Sequence, residues 1–349
     1  MSSGRRLSPV DKQQIQRRAG IDEVDVTDCG RPKARMSELD HMPYSAEVHP
    51  CELTALDNGA PAPPRTRRSP SVTPFGFPRD FLGNRFVYVA ISPRAGGLCV
   101  GVNMNPDRLC NFDCVYCEVD RHAPAAEQCL DVAVMAGELE RTLAWVHSGK
   151  IREHHSYSTL PEELLKLRHV ALSGDGEPTL CPNFAEALES VVHARARGMV
   201  PFFKIVLLTN ATGLDLPAVK KSLKLFTASD EIWAKLDAGT PAFMERVNRP
   251  EVSMQKVLAN IRLLGRQRPV IIQSLFPMID GREPEADEID QYIARLKELK
   301  AAGVLIPLVQ IYSATRPMAH ARCGHLPLKC LSRIAKTIRS VTGLRAEVY

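Results

Sequence analysis

Three cysteines stand within eight residues, in Cys110-Asn-Phe-Asp-Cys114-Val-Tyr-Cys117. Their spacing is three residues, then two, and a loop of that length can fold three sulfurs around one centre. Structural zinc wants four ligands, usually as two pairs. No second C-x2-C pair exists in the chain, and His122, the nearest histidine, would have to close an unusual knuckle. A ferredoxin-like carrier normally gives each cluster four cysteines, and Cys129, 12 residues on, is the candidate for a fourth. A cubane cluster on three thiolates is the third reading. It leaves one iron without a protein ligand, able to bind a small molecule through nitrogen and oxygen and to pass it an electron. Inert packing is the fourth reading, and packing alone rarely produces this spacing.

Further polar groups sit where apolar runs end. Ser173-Gly-Asp-Gly-Glu177-Pro178 follows Val170–Leu172. Its two glycines permit a tight turn and a close backbone approach, and Pro178 suits the start of a helix. Val206-Leu-Leu-Thr-Asn210 ends the next run, and Trp233-Ala-Lys235-Leu-Asp237-Ala-Gly239 places two charges in a third. A central parallel strand is buried on both faces, so charges at its carboxyl end fit the ligand crevice that such sheets form there. Val247-Asn-Arg249-Pro250, Gln273, Gln310 and Thr315-Arg316-Pro317 are weaker signals. Cys323 and Cys330 are a candidate auxiliary or redox pair. Cys129 and Cys181 read as ordinary thiols, and His154-His155 as a solvated loop.

The elements that must position these groups begin at Phe86. Short β-rich runs at 86–91, 98–103, 169–173, 203–209, 231–236, 270–276 and 305–312 alternate with helical periods. Residues 286–302 put Ile289, Tyr292, Ile293, Leu296 and Leu299 on one face, with Gly303 as the stop. Residues 254–264 repeat this with Val257, Leu258, Ile261 and Leu264, after Ser253 as N-cap and before Gly265. Strand–helix alternation over this length predicts a parallel sheet with crossover helices. Ahead of it, residues 1–80 hold ten of the 26 prolines and only Tyr44, Phe75 and Phe77 as aromatics. Residues 1–75 are expected to form a disordered Pro-rich tail. Its Arg65–Arg68 cluster is a candidate nucleic-acid arm, though a solvated tail is the plainer reading.

C-x3-C-x-aromatic-C, with Tyr116 as the aromatic, resembles the signature of the radical S-adenosylmethionine (radical SAM) superfamily. The resemblance implies that Cys110, Cys114 and Cys117 ligate a [4Fe–4S] cluster whose open iron chelates S-adenosylmethionine, with Tyr116 near the adenine. Gly176-Glu177-Pro178 resembles the element that holds the methionine amino group, with Asp175 where the family has its first glycine. Asn210 resembles the third-strand terminus near the ribose or carboxylate. Lys235 is then expected to meet a carboxylate, either the cofactor's or the substrate's, and Asp237 the ribose hydroxyls. The run Gly101-Val-Asn103, Gly-Glu-Pro-Thr, Leu-Thr-Asn, Leu-Asp-Ala-Gly and Asn-Arg-Pro is similar to wyosine-synthetase-like proteins, also called Fe-S oxidoreductases. The likeness covers about 86–318. No N-terminal cysteine set able to hold a second cluster accompanies it, Cys29 and Cys51 being isolated. The implied fold is a partial (β/α)6 TIM-like barrel over 80–320, with a C-terminal helix and short strand at 321–349 packed on it. The implied activity is reductive cleavage of S-adenosylmethionine to a 5′-deoxyadenosyl radical. That radical takes hydrogen from a small molecule, peptide or RNA, and the electron comes from a reductase or a flavodoxin- or ferredoxin-type donor. An electron-transfer or regulatory iron–sulfur protein is the alternative.

Composition narrows the classes further. The chain has 349 residues, is 44% apolar and 24% charged, and carries a formal charge of +5. That suffices for a sizeable core. It is too mild an imbalance to argue for nucleic acid by itself, and 6% aromatics argues against a base-stacking platform. No apolar run approaches a membrane span, and the start lacks the apolar stretch of a secretory signal. A cytoplasmic location is expected, with the ten cysteines as thiols or ligands rather than disulfides.

Overall fold

The computed structural model describes residues 81–121, 125, 127–315 and 322–349. The tail at 1–75, His122 and Arg316-Pro317 lie outside the described residues.

In chain order the strands are β1 Val87–Ser92, β2 Gly97–Asn103, β3 Leu167–Ser173, β4 Lys204–Thr209, β5 Glu231–Lys235, β6 Ile271–Leu275, β7 Pro277–Ile279, β8 Val309–Tyr312, β9 Cys323–His325 and β10 Ala346–Val348. The α-helices are α1 Val132–His147, α2 Glu162–Leu165, α3 Phe184–Ala196, α4 Pro217–Ser222, α5 Pro241–Asn248, α6 Met254–Gly265, α7 Ala286–Ala301 and α8 Leu328–Thr342. One sheet runs β1-β2-β3-β4-β5-β6-β8-β10, and β7 pairs with β9 separately. From β2 to β10 the neighbours in the large sheet are parallel. β1 alone is antiparallel, because a short turn cannot carry the chain back to the start of a parallel strand. The expected run 305–312 yields only Val309–Tyr312. Pro307 interrupts it, since it has no N–H for the ladder.

The sheet is curled into a half-barrel. His169 on β3 meets Trp233 on β5 edge-on at 5.4 Å across the concave side. Arg94, from the β1–β2 turn, stacks 4.2 Å from the Tyr312 ring on β8, a strand four places beyond β3 in the sheet order. A flat sheet would keep those residues far apart. Alternate strand residues such as Val100, Leu172, Leu207 and Ile272 point outward into the main core under the helices. Val206, Trp233 and Ile271 pack together on the inner side.

Helix ends place the crossovers as the apolar periods imply. Ser253 caps α6 by accepting from the Lys256 N–H. α7 buries Tyr292, Ile293, Leu296 and Leu299, and Gly303 follows with φ +81°. Gly239, after β5, approaches α7 so closely that a Cβ there would stand 2.0 Å from the Tyr292 nitrogen. Its N–H and the Thr240 hydroxyl both donate to Glu288 on α7.

Burial, reinforced by the charges of Lys204 and Arg94, pushes His169 down to about 3. The unfolded chain protonates this residue near its ordinary value of 6.5, while the folded chain does not. Stability is therefore present above 6.5 and is lost as pH falls toward 3. The slope from this one group is about 1.4 kcal/mol per pH unit. Urea midpoints are expected to drop between pH 7 and pH 5, and His169→Leu to reduce that drop.

Candidate active site

The cysteine loop leaves β2 at Asn103 and has no regular structure of its own, so its backbone must be held from both sides. On one side lies the turn after β3. The Met104 N–H bonds the Ser173 carbonyl at 2.8 Å, and the Glu177 N–H bonds Leu109 O at 3.2 Å. A Cβ at Gly176 would stand 1.7 Å from Leu109 O, so only glycine allows this approach. On the other side lies the segment after α5. Val115 N–H donates to Val247 O at 2.8 Å, Asp113 N–H to Asn248 O at 3.0 Å, and Glu251 N–H to Asn111 O at 2.9 Å. Arg249 ends α5 with φ +43°, and Pro250, unable to continue a helix, lies against Phe112. Two arginines tie the loop to itself. Arg108 Nη1 donates to Asp120 O, and Arg121 Nη1 to Arg108 O at 2.6 Å.

A side-chain N–H donor faces each of the three sulfurs. Asn210 Nδ2 is 4.0 Å from Cys110 Sγ, Asn248 Nδ2 3.3 Å from Cys114 Sγ, and Arg121 Nη2 3.7 Å from Cys117 Sγ. All three cysteines are half-buried. Burial, then the charge of Glu177, pushes the Cys110 thiol up to about 11. Burial, then Asp237, pushes Cys114 up to about 12. Among the described residues, no group of three His, Cys, Asp or Glu side chains converges on a single-ion position.

The strand ends reach this loop, and two carboxylates are engaged by protein donors. Glu177 is 2% exposed. One oxygen accepts from the Thr179 N–H and from the Thr179 and Thr209 hydroxyls, and the other from the Asn210 N–H at 2.7 Å. Pro178 begins the short 3-10 turn after it. Asp237 is likewise buried, accepting from the Tyr116 hydroxyl, from Asn248 Nδ2 at 2.9 Å and from Leu275 N–H at 2.8 Å. Lys235 Nζ stands 3.4 Å from Asp237 Oδ1 and 4.9 Å from the centre of the Tyr116 ring, and donates to the Tyr312 hydroxyl at 3.0 Å. Burial alone would lower its pKa, but Asp237 and Tyr312 hold it above its ordinary value. Asn210 donates to Asn111 Oδ1 at 2.9 Å and accepts from the Thr212 hydroxyl at 2.7 Å.

The structure thus gathers Cys110, Gly176, Glu177, Pro178 and Asn210 on one side of the loop. It gathers Cys114, Tyr116, Lys235 and Asp237 on the other. Gln273 and Gln310 pair at 2.9 Å on the two strands beyond β5. The candidate pair Cys323 and Cys330 are both free thiols, and Cys330 donates instead to Glu283 at 2.9 Å. Asn248, Tyr312, Asn111 and Arg121 carry contacts that the motifs did not assign. Asn248 had a visible signal, the Asn-Arg-Pro triplet, whereas Arg121 had none. Asn248→Asp would set a carboxylate against both Asp237 and the Cys114 sulfur. Iron and sulfide bound per chain after anaerobic reconstitution are expected to fall severalfold, with Asn248→Ser milder.

Among the described residues no helix is long and apolar enough to cross a membrane. The chain is similar to a "UPF0026 protein" of Helicobacter pylori strain 26695, at 25% identity over 224 residues, 62% of this chain and 64% of that protein. It is similar to the "UPF0026 protein slr1464" of Synechocystis at 28% identity, over 52% of this chain and 60% of that one. It spans just under two thirds of these relatives. A radical SAM methyltransferase structure from Sphaerobacter thermophilus shares the fold, with a TM-score of 0.52, 16% identity, and 75% of this chain and 68% of that one covered. The family described as "Radical SAM superfamily" matches residues 104–293, a span holding the three cysteines and the ends of β3 to β6. The chain belongs to the radical SAM superfamily, an enzyme family whose cofactors are a [4Fe–4S] cluster and S-adenosylmethionine.

Proposed function

We propose that Cys110, Cys114 and Cys117 hold a [4Fe–4S] cluster with one open iron, and that the chain cleaves S-adenosylmethionine to a substrate-activating radical. The observation that carries this is an N–H donor opposite each sulfur, in a loop pinned from both sides. N–H groups aimed at sulfur stabilise thiolate charge and tune a cluster. Cys110 and Cys114 resist ionising without such donors and a positive centre, so the donor set fits an iron–sulfur cluster. Bound there, the reduced cluster supplies one electron for breaking the cofactor's carbon–sulfur bond, which gives methionine and a 5′-deoxyadenosyl radical.

The chain's own residues bind, orient and exclude water. The Ser173–Glu177 turn lies beside Cys110, where its backbone meets the methionine amino group. Glu177 supports that turn from behind, because its oxygens already take four protein donors. Asp237 supports Tyr116 in the same way and leaves adenine packing to the tyrosine ring. Lys235 is the cation that meets a carboxylate, and Asn210 stands near the cofactor's ribose or carboxylate. The barrel core at 80–320, with 321–349 packed on it, is the catalytic unit. It takes electrons from a flavodoxin- or ferredoxin-type donor in the cytoplasm. The motif run from Gly101 to Pro250 supports a wyosine-synthetase-like subgroup, with RNA among the possible substrates.

Anaerobic reconstitution, reduction with dithionite and addition of S-adenosylmethionine are expected to yield 5′-deoxyadenosine. Cys114→Ala is expected to lose both cluster and product. Product from Cys114→Ala, or none from a wild-type chain with a full cluster, would contradict the proposal.

A further inference from the structure

The concave side of the barrel holds two cations on one aromatic ring. Lys235 Nζ lies 5.4 Å from the Tyr312 ring centre, and the Arg94 guanidinium 4.2 Å from it. Lys235 has a counter-charge in Asp237 at 3.4 Å. On the same sheet, Glu347 pairs with Arg345 and Glu231 with Lys204. Among the described residues no carboxylate pairs with Arg94, and its Nε is buried with no hydrogen-bond partner. A buried guanidinium N–H left unpaired is costly, and a bound acceptor removes that cost. A planar guanidinium is also the side chain best shaped to hold two oxygens of one anion. Both cations and Tyr312 are only partly buried. Gln273 and Gln310, paired on neighbouring strands, add amides to the same lining.

We propose that Arg94, together with Lys235 and the Tyr312 ring, forms an oxyanion subsite in the barrel, and that the molecule losing hydrogen carries a carboxylate or a phosphate. This rests on the radical reading for what happens to that molecule, but the subsite itself is a property of these three side chains. The β1–β2 turn then supplies specificity, while the loops at the opposite strand ends supply the chemistry.

The test uses reconstituted, oxidised holoenzyme saturated with S-adenosylmethionine, so that the cofactor's own carboxylate site is filled. Inorganic phosphate is titrated calorimetrically in one arm and acetate in the other. Saturable binding of at least one ion is expected, and the tighter arm identifies the anion class. Arg94→Gln is expected to weaken it about tenfold, and Arg262→Gln, on the exposed side of α6, to leave it unchanged. If Arg94→Gln does not fold, Arg94→Lys decides, since it keeps the charge and loses the fork. Severalfold weaker binding is expected there. Wild-type affinity in the folded Arg94 variant, or no saturable binding of either ion to the wild type, would overturn the subsite. Release of 5′-deoxyadenosine by the same wild-type preparation is measured separately. Its absence would count against the radical reading alone.

Discussion

The side-chain amide of Asn248 faces the Cys114 sulfur, the Tyr116 hydroxyl and the Asp237 carboxylate, so the cysteine loop, the segment after β5 and the end of α5 meet there. Its residue is 2% exposed. In such a setting, an unpaired polar group costs far more than a paired one gains. The cysteine loop cannot shift without orphaning the amide, and the end of α5 cannot shift without releasing the loop. The Asp237 charge is tolerated inside only because Tyr116, Leu275, Asn248 and Lys235 all face it. A buried ion held so densely specifies geometry more than it adds stability.

Glu177 plays the same part on the opposite side of the loop. It joins the turn after β3 to the end of β4, and through Asn210 to Cys110. These two carboxylates are the posts on which an irregular loop hangs. This accounts for their burial, and for donors crowding each of them.

Most of the barrel was legible because its strands are short apolar runs, each followed by a helix with one apolar face. The helix over 286–301 and the strand over 204–209 fall within a residue or two of the expectation. Two features were not legible, for different reasons. Pro307 cuts the run before β8, a local effect that the apolar count of 305–312 concealed. The direction of a side chain at a strand end depends on which neighbours offer hydrogen bonds, and those neighbours come from other strands. Thr209 lies 32 residues from Glu177, and Tyr116 lies 121 residues from Asp237. The cysteine spacing identified the loop because its chemistry is local. Arg121, which also touches a sulfur, belongs to no spacing pattern and emerged only from the fold.

The reading stands or falls on whether one iron of a three-thiolate cluster is open to the cofactor. Electron–nuclear double resonance on the reduced wild-type protein, with S-adenosylmethionine labelled with nitrogen-15 at the methionine amino group, addresses this directly. A nitrogen-15 coupling strong enough to require direct coordination to iron is the expected result. An intact cluster with no such coupling at saturating cofactor would contradict it.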